Sequence, residues 1–263
     1  MLLRRLTLHV REQNWTAIGI DFVIVVVGVF IGIQVANWND DRATARKARD
    51  FTERLRADLL DEAWGYEMQV GYYTDVLDNA KRAADALEGD APLSDEALLV
   101  AAYRATQYNG NTRRRATYDE LVSTGELGLV LDPAMRQLAH EVYNSAQFDI
   151  IVNEGVNSAY RKAFRMTLPH GVQREVASAC GDKLVQPGDF ASVDDSLDYP
   201  CTTGLSPAQL ADAVARLRTN PDLLPLLRLR LLDVETSLSN FTSLNPGSRE
   251  ALAELVRAKT GSG

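Results

Sequence analysis

Three histidines, two cysteines and a surplus of carboxylates are the residues with which this chain of 263 could do chemistry. His9, His140 and His170 are scattered, and neither HExxH, CxxC nor a cysteine–histidine spacing of zinc type occurs. GxSxG, the P-loop and GxGxxG are absent too. His140 precedes Glu141, but neighbours on a helix diverge and cannot share a ligand. Asp189, Asp194, Asp195 and Asp198 crowd one stretch, yet their spacing lacks the alternation around a tight glycine turn that calcium loops use, so a solvated acidic loop is expected. No metal, cofactor or catalytic step is expected from these residues.

Cys180 and Cys201 close a segment rich in Gly, Pro, Ser and Asp, which cannot bury enough apolar surface to hold itself. A disulfide closing a loop of about 20 residues contributes roughly 3 kcal/mol and needs an oxidising compartment; two free thiols are the other reading. Arg113, Arg114 and Arg115 form the one tight basic cluster. In an acidic chain they are expected to pair with neighbouring acids, with contact to an anion or a lipid headgroup as the alternative.

The element that positions everything else is Trp15–Trp38, WTAIGIDFVIVVVGVFIGIQVANW, whose single charge is Asp21. A bilayer core of roughly 30 Å needs about 20 largely apolar residues, and Ala17–Ala36 supplies them. Its many β-branched residues favour strand in water, but in lipid a lone segment satisfies its own backbone only as a helix. Trp15 and Trp38 then lie about 34 Å apart along the axis, at the two interfaces. A cleaved signal peptide would have a shorter apolar region ending at small residues, whereas this one ends Gln34-Val-Ala36-Asn-Trp38, so an uncleaved anchor is expected. Lys and Arg are near balance across the segment, and the expected disulfide decides the orientation: residues 1–14 form a short cytoplasmic tail, and the domain lies in the periplasm. On a helical wheel Asp21, Val25, Gly28 and Gly32 share one face. Small residues four apart let helices approach closely, and an acid in the apolar zone is costly without a partner. The same Asp21 could instead sit at the interface in contact with water.

Beyond the span, three arginines and two acids having been removed, 25 basic residues face 34 acidic ones, a net charge of −9. That is a poor match for nucleic acid. Residues 39–88 read as one long juxtamembrane helix, with Phe51, Leu55, Leu59, Ala63, Tyr66, Val70, Tyr73, Leu77, Ala80 and Ala84 at spacings of three and four. Gly65 and Gly71 are candidate kinks, and a bundle helix is favoured over a coiled coil because Ala and Tyr make a weak zipper. Residues 89–263 should hold further helices. Ser94 caps one; Thr112 caps TRRRATYDELVST; Asp132-Pro133 opens one running to about Met166; Ser206-Pro207-Ala-Gln209 is a capping box; Asn220-Pro221 and Asn245-Pro246 open the last two. Pro169 ends the Asp132 helix, leaving 169–205 loop-rich. The expectation is an all-α chain, a single N-terminal transmembrane helix followed by an antiparallel bundle of five or six helices.

The run IDFVIVVVGVFIGIQVANWND, with TYDELVSTGELGLVLDPAMRQLAHEVY downstream, resembles a family of uncharacterised bacterial single-pass membrane proteins. The resemblance implies architecture, a single pass through the inner membrane followed by a helical domain, and no activity. Two functions of different class follow. One is an interaction or scaffold module that docks a protein partner, or a second copy, through the face of its membrane helix. The alternative is an extracytoplasmic ligand-sensing domain that signals through a partner.

Overall fold

Leu55, Leu59, Ala63, Tyr66, Tyr73, Leu77, Ala80 and Ala84, spaced by three, four and seven, are all buried, as a helix with one face in a core requires. They lie on α1, Trp15–Glu88, in a computed structural model that describes residues 15–110, 112–243 and 246–260. The basic tail expected at 1–14 lies outside the described residues. Among the described residues nine further α-helices follow: α2 Asp95–Arg104, α3 Ala116–Ser123, α4 Pro133–Asn144, α5 Gln147–Asn157, α6 Ala159–Thr167, α7 His170–Cys180, α8 Pro207–Thr219, α9 Leu223–Ser243 and α10 Pro246–Thr260. A 3-10 turn at Leu127–Leu129 is added, and no strand occurs among the described residues. The chain is all-α.

Contacts divide it into two bodies. The first comprises the described part of Met1–Glu53 with Gly128–Leu131. Here the side chains of α1 are exposed from Ile20 to Trp38, and nearly all of them are apolar. Arg42 lies over the Trp38 ring at 3.7 Å, and Phe51 and Val130 are buried. This is the one helix among the described residues long and apolar enough to cross a membrane.

The second body comprises Arg54–Leu127 and the described part of Asp132–Gly263. Its stretch of α1 is buried on more than the seam, because Met68, Tyr72, Val76, Ala83 and Ala86 are covered as well. Tyr73 and Leu77 join Ile151 of α5 and Val234 of α9 in one cluster, while Ala80 and Ala84 join Leu98, Phe164 and Leu217 in another. The seam therefore serves the domain's own core, as a bundle helix does. Around it α9 packs on α5 and α6, and α2 packs on α7 and α8. Gly71 marks no break. A Cβ there would meet Val193 Cγ1 at 2.8 Å, so the missing side chain lets the loop around Val193 approach the helix. Gly89, at φ +93, turns the chain out of α1, and Asp85 O accepts the amides of Gly89, Asp90 and Ala91.

The helix starts follow their caps. Ser94 Oγ accepts from Ala97 N, Asp132 from Ala134 N and Met135 N, and Ser206 and Gln209 form the reciprocal box. Four expectations are corrected. α3 begins at Ala116, not Thr112, because Arg113 and the Arg114 amide are held by Glu62 on α1. The helix expected from Asp132 to Met166 is three helices, reset at Ser145–Ala146 and at Ser158, whose hydroxyl caps α6 by accepting from Arg161 N. The reset turns Ala146 and Ile150 outward. Pro169 precedes a helix as well as ending one, and α7 buries Val172, Val176 and Cys180 at steps of four, so the loop-rich part is shorter than 169–205. More and shorter helices than five or six therefore surround α1.

Candidate functional site

The face expected on the apolar segment is open. Asp21, Val25, Gly28 and Gly32 are exposed, a Cβ at either glycine would meet nothing within 4 Å, and Trp15 and Trp38 are exposed at the two ends.

The arginine cluster is engaged within the second body. Arg113 Nε donates to Glu62 Oε2 at 2.7 Å and a second guanidinium nitrogen to Val142 O, while the guanidinium covers the Phe148 ring at 4.0 Å. Arg114 N donates to Glu62 Oε1, and its side chain approaches Asp61 at 3.7 Å. Arg115 forks onto Asp119 one helical turn ahead. Pairing with acids is thus what the structure holds. Glu62 is almost wholly buried, and nothing in its local sequence distinguishes it from the exposed Asp61 beside it.

The two cysteines lie at disulfide distance, with Cα atoms 5.5 Å apart. The loop they close is anchored by Arg104, a buried cation at the end of α2. It donates to Asp198 Oδ1 at 2.8 Å and Tyr199 O at 2.7 Å, and stacks over the Tyr199 ring at 5.0 Å. Asp75 on α1 accepts Asp198 N, and burial pushes its carboxyl up to about 6, with the neighbouring Asp198, Asp194 and Asp78 charges adding to the shift. Asp189 accepts Ser192 N in a turn. The crowded acids therefore shape and fasten the loop. Among the described residues no group of three His, Cys, Asp or Glu is placed to hold a metal ion. His140 shares its Nδ1 with Tyr118 Oη and Asn144 Nδ2 on the surface.

Fastening that loop beside α1 makes a cleft of about 500 Å³, within the range of small-molecule sites. Met68, Gln69 and Tyr72 of α1 line it together with Trp64, and Asp182, Lys183 and Val185 of the loop form the facing wall. Trp64 is steadied by its Nε1–H, which donates to Asp189 O at 3.2 Å. Gln69 Nε2 donates to Asn109 O, but Gln69 Oε1 is buried without a hydrogen-bond partner, and the buried Tyr72 hydroxyl interacts with Asp182. Most buried polar groups are paired, and an unpaired one costs about 1–3 kcal/mol, so Gln69 Oε1 beside the cleft is informative. Asp182 reaches solvent through the cleft, yet the surrounding protein raises its pKa against the pull of the Tyr72 hydroxyl and of Arg161. The Asp182 charge in turn adds to burial in raising the Tyr72 pKa.

None of these cleft residues stands out in the sequence as chemistry. Trp64, Met68 and Tyr72 recur at steps of four beside the seam, and that second stripe is the one sequence signal that could have drawn attention to them. Compared with known proteins, the chain matches no family model, no curated protein and no solved structure.

Proposed function

We propose that the chain is a membrane-anchored helical interaction module, with the apolar part of α1 in the bacterial inner membrane, the N-terminus in the cytoplasm and the disulfide-closed domain in the periplasm. The observation that carries this reading is exposure. Between Trp15 and Trp38, 14 large apolar side chains face outward, with nothing in the fold over them. Leaving them in water forfeits on the order of 10–20 kcal/mol, at about 1.5–3 kcal/mol for each side chain fully covered and roughly half of that still to be gained here. Lipid covers such a surface at no cost in specificity, and the Asp21–Val25–Gly28–Gly32 face then offers a place for a second helix. Two copies would bring two Asp21 carboxylates together, so a partner offering Lys, Arg or a hydroxyl fits that face better than a symmetric pair. The resemblance to uncharacterised bacterial single-pass proteins belongs to the same proposal.

The test is crosslinking through a cysteine placed at Val25, on the same face, in native membranes, with and without Gly28→Ile and Gly32→Ile. The bulky pair is expected to abolish the crosslinked species seen in the parent background. An unchanged pattern would sink the association face. For orientation, a C-terminal fluorescent reporter that matures only in the cytoplasm should stay dark.

A second reading, a periplasmic domain that binds a small ligand, is favoured by the cleft beside the disulfide loop, by the unpartnered Gln69 Oε1 and by Asp182, which has no ion-pair partner among the described residues.

A further inference from the structure

We propose that the cleft between Tyr72 and Asp182 binds a small organic cation, a protonated amine carried on an apolar or aromatic body. The inference rests on the ligand-binding reading above and names the chemistry of its ligand.

Asp182 faces the cleft with no ion-pair partner among the described residues. The cations around it are committed elsewhere. Arg161 donates to Thr106 O at 2.7 Å and lies over the Tyr108 ring at 4.7 Å. The Lys183 ammonium sits 3.7 Å from the centre of the Tyr199 ring, and Arg114 is drawn to Asp61. The acceptors beside it have matching character. Gln69 Oε1 can only accept, and the Tyr72 hydroxyl can accept or donate. An ammonium carries three donors and a positive charge, which is what a carboxylate, an amide oxygen and a hydroxyl together lack. Beyond this polar end Trp64, Met68 and Val185 supply an apolar wall for the body of the ligand. An anion would meet the Asp182 carboxylate, while Arg114 and Lys183 on the cleft wall are held by Asp61 and the Tyr199 ring, and a neutral apolar molecule would leave the acceptors unpaired.

The experiment uses the full chain in nanodiscs, with Trp15→Phe and Trp38→Phe so that Trp64 is the sole tryptophan, excited at a wavelength that tyrosine and tyramine do not absorb. Benzylamine and tyramine are titrated beside benzyl alcohol and benzoate. The amines are expected to shift Trp64 emission with a Kd of about 1 mM or tighter, and benzyl alcohol to bind about tenfold more weakly. Asp182→Asn should cost the amines about tenfold or more while the unliganded thermal midpoint is kept. Tyr72→Phe, which removes only the hydroxyl beside Asp182, should weaken them about threefold and stands as the readout if Asp182→Asn does not fold. Equal affinity for benzyl alcohol, tighter binding of benzoate, or amine binding indifferent to the folded variants overturns the amine assignment and leaves a binding cleft. No binding by any of the four at about 10 mM overturns the ligand-binding reading with it.

Discussion

Glu62 is the clearest case of a residue whose role only the tertiary structure defines. It is 1% exposed and accepts from both Arg113 Nε and Arg114 N, so one carboxylate on α1 holds the extended chain ahead of α3. Removing one side of a buried pair strands the other, at about 3–5 kcal/mol, whereas replacing both by apolar groups of similar size is far gentler. Glu62→Ala is therefore expected to lower the urea-unfolding free energy by about 3 kcal/mol, and Glu62→Leu with Arg113→Met to recover most of the loss. Asp75 behaves in the opposite sense. Its pKa, held at about 6 in the fold by burial and nearby acids, lies above its ordinary 3.8, so the folded state binds its proton more tightly. The stability this lends is complete below about pH 4 and is lost as pH rises through about 6. Asn keeps an acceptor for Asp198 N and stays neutral, so Asp75→Asn should raise the thermal midpoint above pH 6 and leave it unchanged below pH 4. Because the carboxyl is only half-buried, a shift of about 2 °C is expected in a pH series of thermal melts. A destabilised variant at pH 8 would contradict it.

At the scale of elements, most helices announced by caps were legible, Thr112 being the exception, and those separated by unmarked breaks were not. Ser94, Asp132-Pro133 and the Ser206–Gln209 box each cap the helix expected of them. Across 142–151, however, Val142, Tyr143, Ala146 and Ile150 keep a helical rhythm through a break that neither proline nor glycine signals. Proline at 169 was ambiguous in itself, since the same ring that ends one helix suits the start of another. Candidate site residues divide in the same way. The arginines and cysteines were conspicuous as clusters, while Gln69, Tyr72 and Asp182 acquire meaning only when a loop more than 100 positions away is brought against α1. Gly71 is where that approach is made. Gly71→Val would gain helix propensity but drive carbon into Val193, and overpacking of this kind costs about 1–3 kcal/mol. The variant is expected to unfold at lower urea and to lose any Trp64 response to ligand, whereas Gly28→Ala, open on every side, should do neither.

At the scale of the whole molecule, two separable demands act on one chain. The body that includes the first part of α1 offers an apolar surface with nothing of its own to cover it, while the other has its own core and a loop closed by Cys180 and Cys201. If the first demand is met by lipid and the second by an oxidising compartment, they can be tested independently. The full chain should stay in the membrane pellet through alkaline carbonate extraction, and a chain beginning at Asn39 should be released and remain soluble. The soluble segment made under oxidising conditions should migrate with both cysteines blocked to maleimide. Cys180→Ser with Cys201→Ser should lower its unfolding free energy by about 3 kcal/mol, the value expected when a 21-residue closure is opened in the unfolded chain. A full chain extracted by carbonate would remove the anchor and leave the domain reading intact. Reactive thiols in the full chain isolated from its native membrane would instead remove the periplasmic assignment, because the same helix would then hold the domain on the reducing side.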